Sequence, residues 1–135
     1  MKIVESKEKH DETRKLISNH LNEYNSKFIN NRFEEVCFYI NDDEENLIAG
    51  IVGEVYGSGM YIQLLWVDEK KRGLSLGKKL LENAESKARE IGCHFITLDT
   101  FNFQAPDYYL RCGFQIFGEL DCGESVTRYY LKKVL

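Results

Sequence analysis

The run YIQLLWVDEKKRGLSLGKKLLENAESKAREIG, residues 61–92, joins two elements of different hydrophobic period through a basic turn. Its first part, residues 61–67, is almost continuously apolar, which is typical of a strand buried on both faces. Its second part, residues 75–91, has an apolar face of helical period, and Gly92 supplies a C-terminal stop. That face consists of Leu76, Leu80, Ala84, Ala88 and Ile91. With a further strand predicted over residues 94–100, the run forms a βαβ unit.

The elements on either side of this unit extend the sheet. The remaining patterns predict helices over residues 9–28 and 105–111 and strands over residues 35–41, 47–56, 114–120 and 126–134. The first helix has an apolar stripe formed by Ile17, Leu21, Tyr24 and Phe28. The order α-β-β-β-α-β-α-β-β predicts a mixed α/β sheet. Because the chain has no internal repeat, linker or low-complexity segment, we predict a single domain over residues 1–135.

The composition excludes several classes of protein. The 135 residues are 43% hydrophobic and 30% charged, which suits one globular domain with a core of its own. A formal net charge of −4 argues against a nucleic-acid partner. No apolar run has the length of a membrane span, and the N-terminus lacks a signal-peptide core. The four cysteines form no CxxC pair and no histidine clusters with them, which favours reduced thiols, no metal site and a cytoplasmic protein.

A cluster of basic residues surrounds the turn in this otherwise acidic chain. It consists of Lys70, Lys71, Arg72, Lys78 and Lys79. The first turn of a helix has backbone N–H groups without intrahelical partners, and the positive end of the helix dipole attracts anions. Glycine lets an anion approach the backbone, and lysine or arginine adds charge-assisted contacts. The turn therefore predicts a phosphate-binding site or, as the alternative, a solvated structural turn; neither the P-loop motif nor the GxGxxG fingerprint is present.

Two blocks of sequence resemble the GNAT superfamily of acetyl-CoA-dependent N-acetyltransferases. The family's turn motif, [QR]-x-x-G-x-[GA], is similar to RGLSLG at residues 72–77. The block N-x-x-A-x-x-x-Y-x-x-x-G-F is matched by Asn102, Ala105, Tyr109, Gly113 and Phe114. The two blocks have the family's order and spacing, and the resemblance covers about residues 35–133. It implies a GNAT-like mixed, mostly antiparallel sheet with a central βαβ unit and flanking helices.

The resemblance also implies a binding site for acetyl-CoA, the acetyl donor, without a metal. The pantetheine arm would pair with the backbone of Trp66 and Val67 like an added strand. The pyrophosphate would bind Arg72, Gly73, Leu74, Ser75, Leu76, Gly77 and Lys78. Asn102 matches a position that contacts the pantetheine or supports the site, with a turn-forming role as the alternative. Ser75 departs from the motif, which has glycine there; its hydroxyl could donate to the pyrophosphate or cap the helix.

For catalysis, Tyr109 matches the family's general acid, and a phenol with a pKa near 10 is protonated at neutral pH. The alternative role for Tyr109 is that of an aromatic residue in the core. The adjacent Tyr108 could be confused with Tyr109 as the general acid. The general base is open, because the strand over residues 61–67 has no carboxylate. Glu54 on the preceding strand is the carboxylate candidate, with a water chain as the other route and a solvated surface charge as the alternative role for Glu54.

The sequence thus predicts an N-acetyltransferase that moves the acetyl group of acetyl-CoA to a primary amine of a small molecule or peptide by direct attack. The alternative is a catalytically silent acyl-CoA-binding or sensor module on the same fold, which Ser75 and the missing carboxylate favour. The acidic turn at residues 42–45 could favour cationic acceptors. No nucleic-acid or membrane partner is expected, and the edge offered by the C-terminal strands allows a homodimer.

Overall fold

A computed structural model of the chain describes residues 1–30 and 32–135. The helices are α1 (His10–Asn25), α2 (Leu76–Ile91) and α3 (Pro106–Arg111), and the strands are β1 (Phe33–Asn41), β2 (Leu47–Tyr56), β3 (Gly59–Val67), β4 (Phe95–Phe101), β5 (Gln115–Asp121) and β6 (Thr127–Val134). This order confirms the predicted succession of elements, with bounds that differ by a few residues at most. No helix in the described part of the chain is long and apolar enough to cross a membrane.

The chain divides into two compact units, residues 1–31 and 32–135. The first unit contains α1, which ends where the Ser26 N–H donates to the Asn22 carbonyl at 3.0 Å. The apolar stripe predicted for this helix lies on its surface, since Ile17 and Leu21 are each 55% exposed. That residues 1–135 form a single domain stays a prediction.

The second unit is built on a six-stranded sheet with the order β1-β2-β3-β4-β6-β5. All neighbouring strands are antiparallel except β3 and β4, which run parallel and are connected through α2. This arrangement confirms the mostly antiparallel sheet with a central βαβ unit. Because β5 lies at one edge of the sheet, the free edge required for a strand-mediated dimer exists, and the dimer itself stays a prediction.

Helix α2 covers one face of the sheet and forms the core with it. Leu80, Ala84 and Ala88 of the predicted apolar face are buried. They pack with buried aliphatic side chains from the strands: Val36, Ala49, Ile51, Val55, Met60, Ile62, Ile96, Leu98 and Leu131. Full burial of one such large side chain contributes about 1.5–3 kcal/mol. Gly92 ends the helix as predicted, because its φ of +95° lies in the left-handed region that favours glycine.

A β-bulge interrupts β3 in the middle of its length. On the neighbouring strand Val52 pairs with Leu64 whereas Gly53 pairs with Ile62, so Gln63 is an extra residue without an opposite partner. A bulge of this kind shifts the alternation of side chains by one position. The two halves of β3 therefore direct side chains of different parity toward the core.

The prediction that residues 61–67 are buried on both faces was wrong. The core face takes Met60, Ile62, Leu65 and Val67, and the opposite face, here called the outer face, takes Tyr61, Leu64 and Trp66. Leu64 is 67% exposed and Trp66 is 49% exposed. The run looks continuously apolar because the bulge adds a residue between the two alternating halves and because apolar side chains also stand on the outer face.

Candidate active site

The parallel pair β3 and β4 diverges after a short ladder, which opens a gap in the sheet. The paired residues are Gly59 with Phe95, Met60 with Ile96, and Tyr61 with Thr97. Beyond them, the described residues of β3 pair only with β2, and those of β4 pair only with β6. We call this gap the wedge. It widens toward the C-terminal ends of both strands, so the free edge of β3 faces the gap over residues 62–67.

The predicted anion-binding turn follows directly at the open end of the wedge. The Asp68 carboxylate accepts the Lys70 N–H at 3.0 Å and caps a short 3-10 turn, Glu69–Lys71. Within residues 1–30 and 32–135, the backbone N–H groups of residues 73–78 donate to no acceptor. This row of donors coincides with the positive end of the α2 dipole, which is the geometry that favours an anion.

The small residues of this turn serve different purposes. Gly73 has a φ of +89° and nothing within 4 Å of an added Cβ, so it is required for its backbone conformation. Ser75 has a φ of +57°, also left-handed, and its side chain makes no capping hydrogen bond. The helix-capping alternative for Ser75 is therefore not the arrangement found. Gly77 leaves room for α3, because an added Cβ would lie 3.1 Å from the Tyr108 hydroxyl, which is closer than ordinary contact.

Basic side chains accompany the turn. Arg72 and Lys78 are exposed, and Lys78 also lines a cavity of about 220 Å³ between α2 and α3. In the lining of this cavity the Glu85 carboxylate accepts a hydrogen bond from the Lys133 ammonium at 2.9 Å. Burial alone would raise the pKa of Glu85, but hydrogen bonds from Lys133 and a neighbouring arginine outweigh it and hold the pKa below its usual value. The cavity wall is thus held together by an ion pair.

The two adjacent tyrosines of α3 occupy different surroundings. The Tyr109 ring packs edge-on against Phe114, with ring centroids 5.9 Å apart. The Tyr108 hydroxyl and the Val67 side chain both lie near Gly77, 3.1 and 3.6 Å from the position that an added Cβ would take there, where the wedge meets the turn. Burial raises the pKa of each phenol to about 12. Both groups are therefore protonated hydrogen-bond donors at neutral pH.

Asn102 is used to hold the end of β4 in position. Its side-chain amide donates to the Ser125 carbonyl at 3.0 Å, and its side-chain oxygen accepts the Thr127 N–H at 3.0 Å. Both ends of the amide group are thus bonded to the chain segment that leads into β6. This arrangement favours a supporting role for Asn102.

The outer face carries Glu54 and a hydrogen-bonded network near the vertex of the wedge. Glu54 lies opposite Tyr61 in the β2–β3 register. The Tyr61 hydroxyl donates to Asp99 at 2.6 Å, and the Arg128 guanidinium donates to the second Asp99 oxygen at 2.6 and 2.9 Å. The hydrogen bond to Asp99, with burial, raises the pKa of Tyr61 to about 12. The tyrosine and arginine anchor the carboxylate from both sides.

Sequence reasoning missed this network and the position of the Tyr108 hydroxyl. Asp99 is 38 residues from Tyr61 and 29 residues from Arg128, so no local pattern connects them. The available signal was the charged Asp99 on a central strand that is otherwise uncharged, which needs a partner when half-buried.

The comparisons with known proteins agree with this geometry. A family model described as the acetyltransferase (GNAT) family matches residues 5–114. The chain belongs to the GNAT acetyltransferase family. It is 36% identical to the blasticidin-S acetyltransferase of Streptomyces morookaense over 104 residues, which are 76% of each chain. It is also 35% identical to an acetyltransferase of Agrobacterium fabrum over 120 residues, 86% of this chain and 88% of the relative.

Solved structures of acetyltransferases have the same fold. The crystal structure of an acetyltransferase from Bacillus cereus superposes with a TM-score of 0.83 at 30% identity, covering 100% of this chain and 99% of the other. A Bacillus anthracis protein assigned as a streptothricin acetyltransferase, solved in complex with acetyl coenzyme A, gives a TM-score of 0.67 at 25% identity. That match covers 82% of this chain and 67% of the other. An acyl-transfer enzyme is therefore the class that the fold and the relatives define.

Proposed function

We propose that this chain transfers the acetyl group of acetyl-CoA to a primary amine of a small molecule or peptide by direct attack. The observation that carries the proposal is the row of unpartnered backbone N–H groups at residues 73–78. It lies at the open end of the wedge, so a phosphate on the turn and an extended arm in the wedge belong to one ligand. The Bacillus anthracis relative with bound acetyl coenzyme A supports this choice of donor.

The pantetheine arm of the coenzyme fits the free edge of β3. The backbone of Trp66 and Val67 has hydrogen-bond partners on β2 only, so their other side is available to an extended amide chain. The pyrophosphate takes the N–H groups between Arg72 and Gly77, and Lys78 adds positive charge. Asn102 contributes indirectly, because it holds the end of β4 and so the width of the wedge.

The acetyl transfer itself follows from the protonation states of the groups present. A neutral amine attacks the thioester carbonyl, an N–C bond forms, and the C–S bond breaks with the electron pair leaving on sulfur. Tyr109 is the phenol proposed beside the departing thiolate. Because its pKa is about 12 and that of a thiol is about 8.5, full proton transfer to sulfur would cost about 5 kcal/mol. Tyr109 therefore stabilises the thiolate as a hydrogen-bond donor, and the sulfur takes its proton from solvent.

The acceptor amine fits the outer face near Glu54. Glu35 and Glu54 face each other across β1 and β2, and neither forms an ion pair with a described basic residue. Like charges directly opposite each other destabilise a sheet by roughly 0.2–1 kcal/mol, and an ammonium group would relieve that repulsion. Glu54, directly or through water, is the proposed base for the ammonium proton. The blasticidin-S acetyltransferase relative makes amine-bearing antibiotics the first acceptors to test.

The proposal is tested by incubating the chain with acetyl-CoA and a panel of amines and measuring release of coenzyme A thiol. We expect turnover with at least one cationic amine, loss of acetyl-CoA binding in Gly77→Asp, and slower turnover with retained binding in Glu54→Gln. Saturable acetyl-CoA binding without thiol release for any amine would instead support the silent binding module. Normal acetyl-CoA binding by Gly77→Asp would contradict the assignment of the turn.

A further inference from the structure

The Tyr108 hydroxyl has an unmet hydrogen-bonding capacity. Among the described residues, its oxygen is the buried side-chain polar atom that has no hydrogen-bond partner. Buried polar groups in folded proteins are nearly always bonded, and an exception usually has a functional explanation. The missing partner is therefore the feature to be explained.

No neighbouring group within residues 1–30 and 32–135 supplies that partner in ordinary geometry. The hydroxyl lies beside Gly77, 3.1 Å from the position that an added Cβ would take, and glycine has no side chain that could accept a hydrogen bond. The candidate partner is the Cys112 thiol, in the residue directly after α3. Burial and, after it, the charge of Cys112 and a weak hydrogen-bonding influence of its thiol raise the pKa of Tyr108 to about 12, but the thiol does not lie in ordinary hydrogen-bond geometry to the hydroxyl, and sulfur is a weak acceptor. The phenol thus retains its proton and has no oxygen or nitrogen atom to which it can donate.

The hydroxyl stands where three elements of the site converge. Val67 is the last residue of β3, Gly77 lies in the first turn of α2, and Tyr108 lies in α3. A ligand that follows the free edge of β3 and ends with a phosphate on the turn must pass this point. In acetyl-CoA, the segment between the pantetheine amides and the pyrophosphate is the pantoyl group. It carries a hydroxyl and an amide carbonyl, and both can accept a hydrogen bond.

We propose that the Tyr108 hydroxyl binds the pantoyl segment of acetyl-CoA as a hydrogen-bond donor. The proposal rests on the proposed function, because it assumes acetyl-CoA in the wedge and on the turn. The hydroxyl is covered in the free chain, so the proposed contact requires the ring to turn toward the wedge when the ligand enters. Gly77 leaves the space for that movement, because it presents no Cβ to the ring. Tyr108 is then a cofactor-binding residue, whereas Tyr109 beside it acts on the leaving thiolate.

The test compares Tyr108→Phe with the matched control Tyr109→Phe by calorimetric titration with acetyl-CoA. We expect Tyr108→Phe to weaken acetyl-CoA binding about 3- to 10-fold, the loss of one hydrogen bond, and Tyr109→Phe to leave it within about twofold. The urea midpoint of ligand-free Tyr108→Phe should equal or exceed that of the wild type, because the variant removes an unsatisfied polar group. A merely structural hydroxyl would instead lower that midpoint.

Binding of adenosine 3′,5′-bisphosphate locates the contact on the coenzyme. This ligand lacks the pantoyl segment, so we expect wild type and Tyr108→Phe to bind it equally. Equal acetyl-CoA affinity of wild type and Tyr108→Phe would overturn the inference, as would an equal loss of affinity for the bisphosphate. A wild-type chain that fails to bind acetyl-CoA at all would overturn the proposed function as well, so the two failures are distinguishable.

Discussion

Replacing Gly77 with alanine tests the close approach of α2 and α3. A second substitution, Tyr108→Phe, should relieve the close contact that the alanine creates. An added Cβ would lie 3.1 Å from the Tyr108 hydroxyl oxygen and 3.6 Å from the Val67 side chain. The first distance is too short and the second is ordinary contact. In Tyr108→Phe the hydroxyl is absent, and the nearest remaining ring atom is the Tyr108 Cζ position, 3.7 Å away.

The magnitudes follow from these distances. Overpacking at a tight contact costs about 1 kcal/mol at the low end of its range, and alanine gains up to about 1 kcal/mol over glycine in helix propensity. We expect Gly77→Ala alone to change the free energy of unfolding by less than about 1 kcal/mol. In the Tyr108→Phe background the propensity gain remains without the clash. The two substitutions should therefore couple favourably by about 1 kcal/mol.

Urea unfolding of the wild type, the two single variants and the double variant measures this coupling. The double variant should be the most stable of the four. In a thermal melt its melting temperature should lie roughly 4 °C above the additive expectation. Effects that add within about 0.3 kcal/mol would refute the reasoning, because independent sites behave in that way. In that case the Tyr108 hydroxyl does not define the space beside Gly77.

Three further outcomes are expected. Ser75→Gly should raise the free energy of unfolding, measured by urea titration, by up to about 1 kcal/mol, because relief of left-handed strain outweighs the added chain entropy, and a lower free energy of unfolding would contradict the strained φ of +57°. Because the pKa of Glu85 is depressed below 4.5 in the folded state, its contribution to stability is present above that pH and lost as the pH falls through the folded value. Urea midpoints measured between pH 5 and 3 should thus fall less steeply for Glu85→Gln than for the wild type, and equal slopes would exclude the ion pair with Lys133. Finally, kcat/KM should rise with pH as the amine deprotonates and show no decline from Tyr109 below about pH 11, since its pKa is about 12. An alkaline decline that disappears in Tyr109→Phe would contradict that value.

The sequence was sufficient for most of the architecture because its signals are local. The hydrophobic period changes from strand to helix at Leu76, and glycine marks the end of that helix at Gly92. The burial of β3 was predicted wrongly because one extra residue, Gln63, reverses the alternation halfway along the strand. Periodicity assumes an uninterrupted pleat, and a bulge is visible only once the neighbouring strand is in register.

For the candidate site, the sequence predicted the turn and not the contacts made between distant elements. The left-handed backbone at Gly73 and Ser75 lies within the turn that the sequence predicted. Which tyrosine ring meets Gly77 depends on the orientation of α3, and a one-residue difference on a helix rotates a side chain by about 100°. The anchoring of Asp99 likewise requires three strands to be assembled first.

The short ladder between β3 and β4 divides the sheet into two leaves. One leaf consists of β1, β2 and β3 with most of the α2 contacts, and the other consists of β4, β5 and β6 with α3. The donor row belongs to the first leaf and both α3 tyrosines belong to the second, so the coenzyme as we propose to place it would touch both leaves. An extended ligand along β3 would add contacts between the two leaves, which few hydrogen bonds connect. Amide hydrogen exchange in β3 and β4 would then slow when the ligand binds. Occupancy of the gap would then set how cooperatively the sheet unfolds.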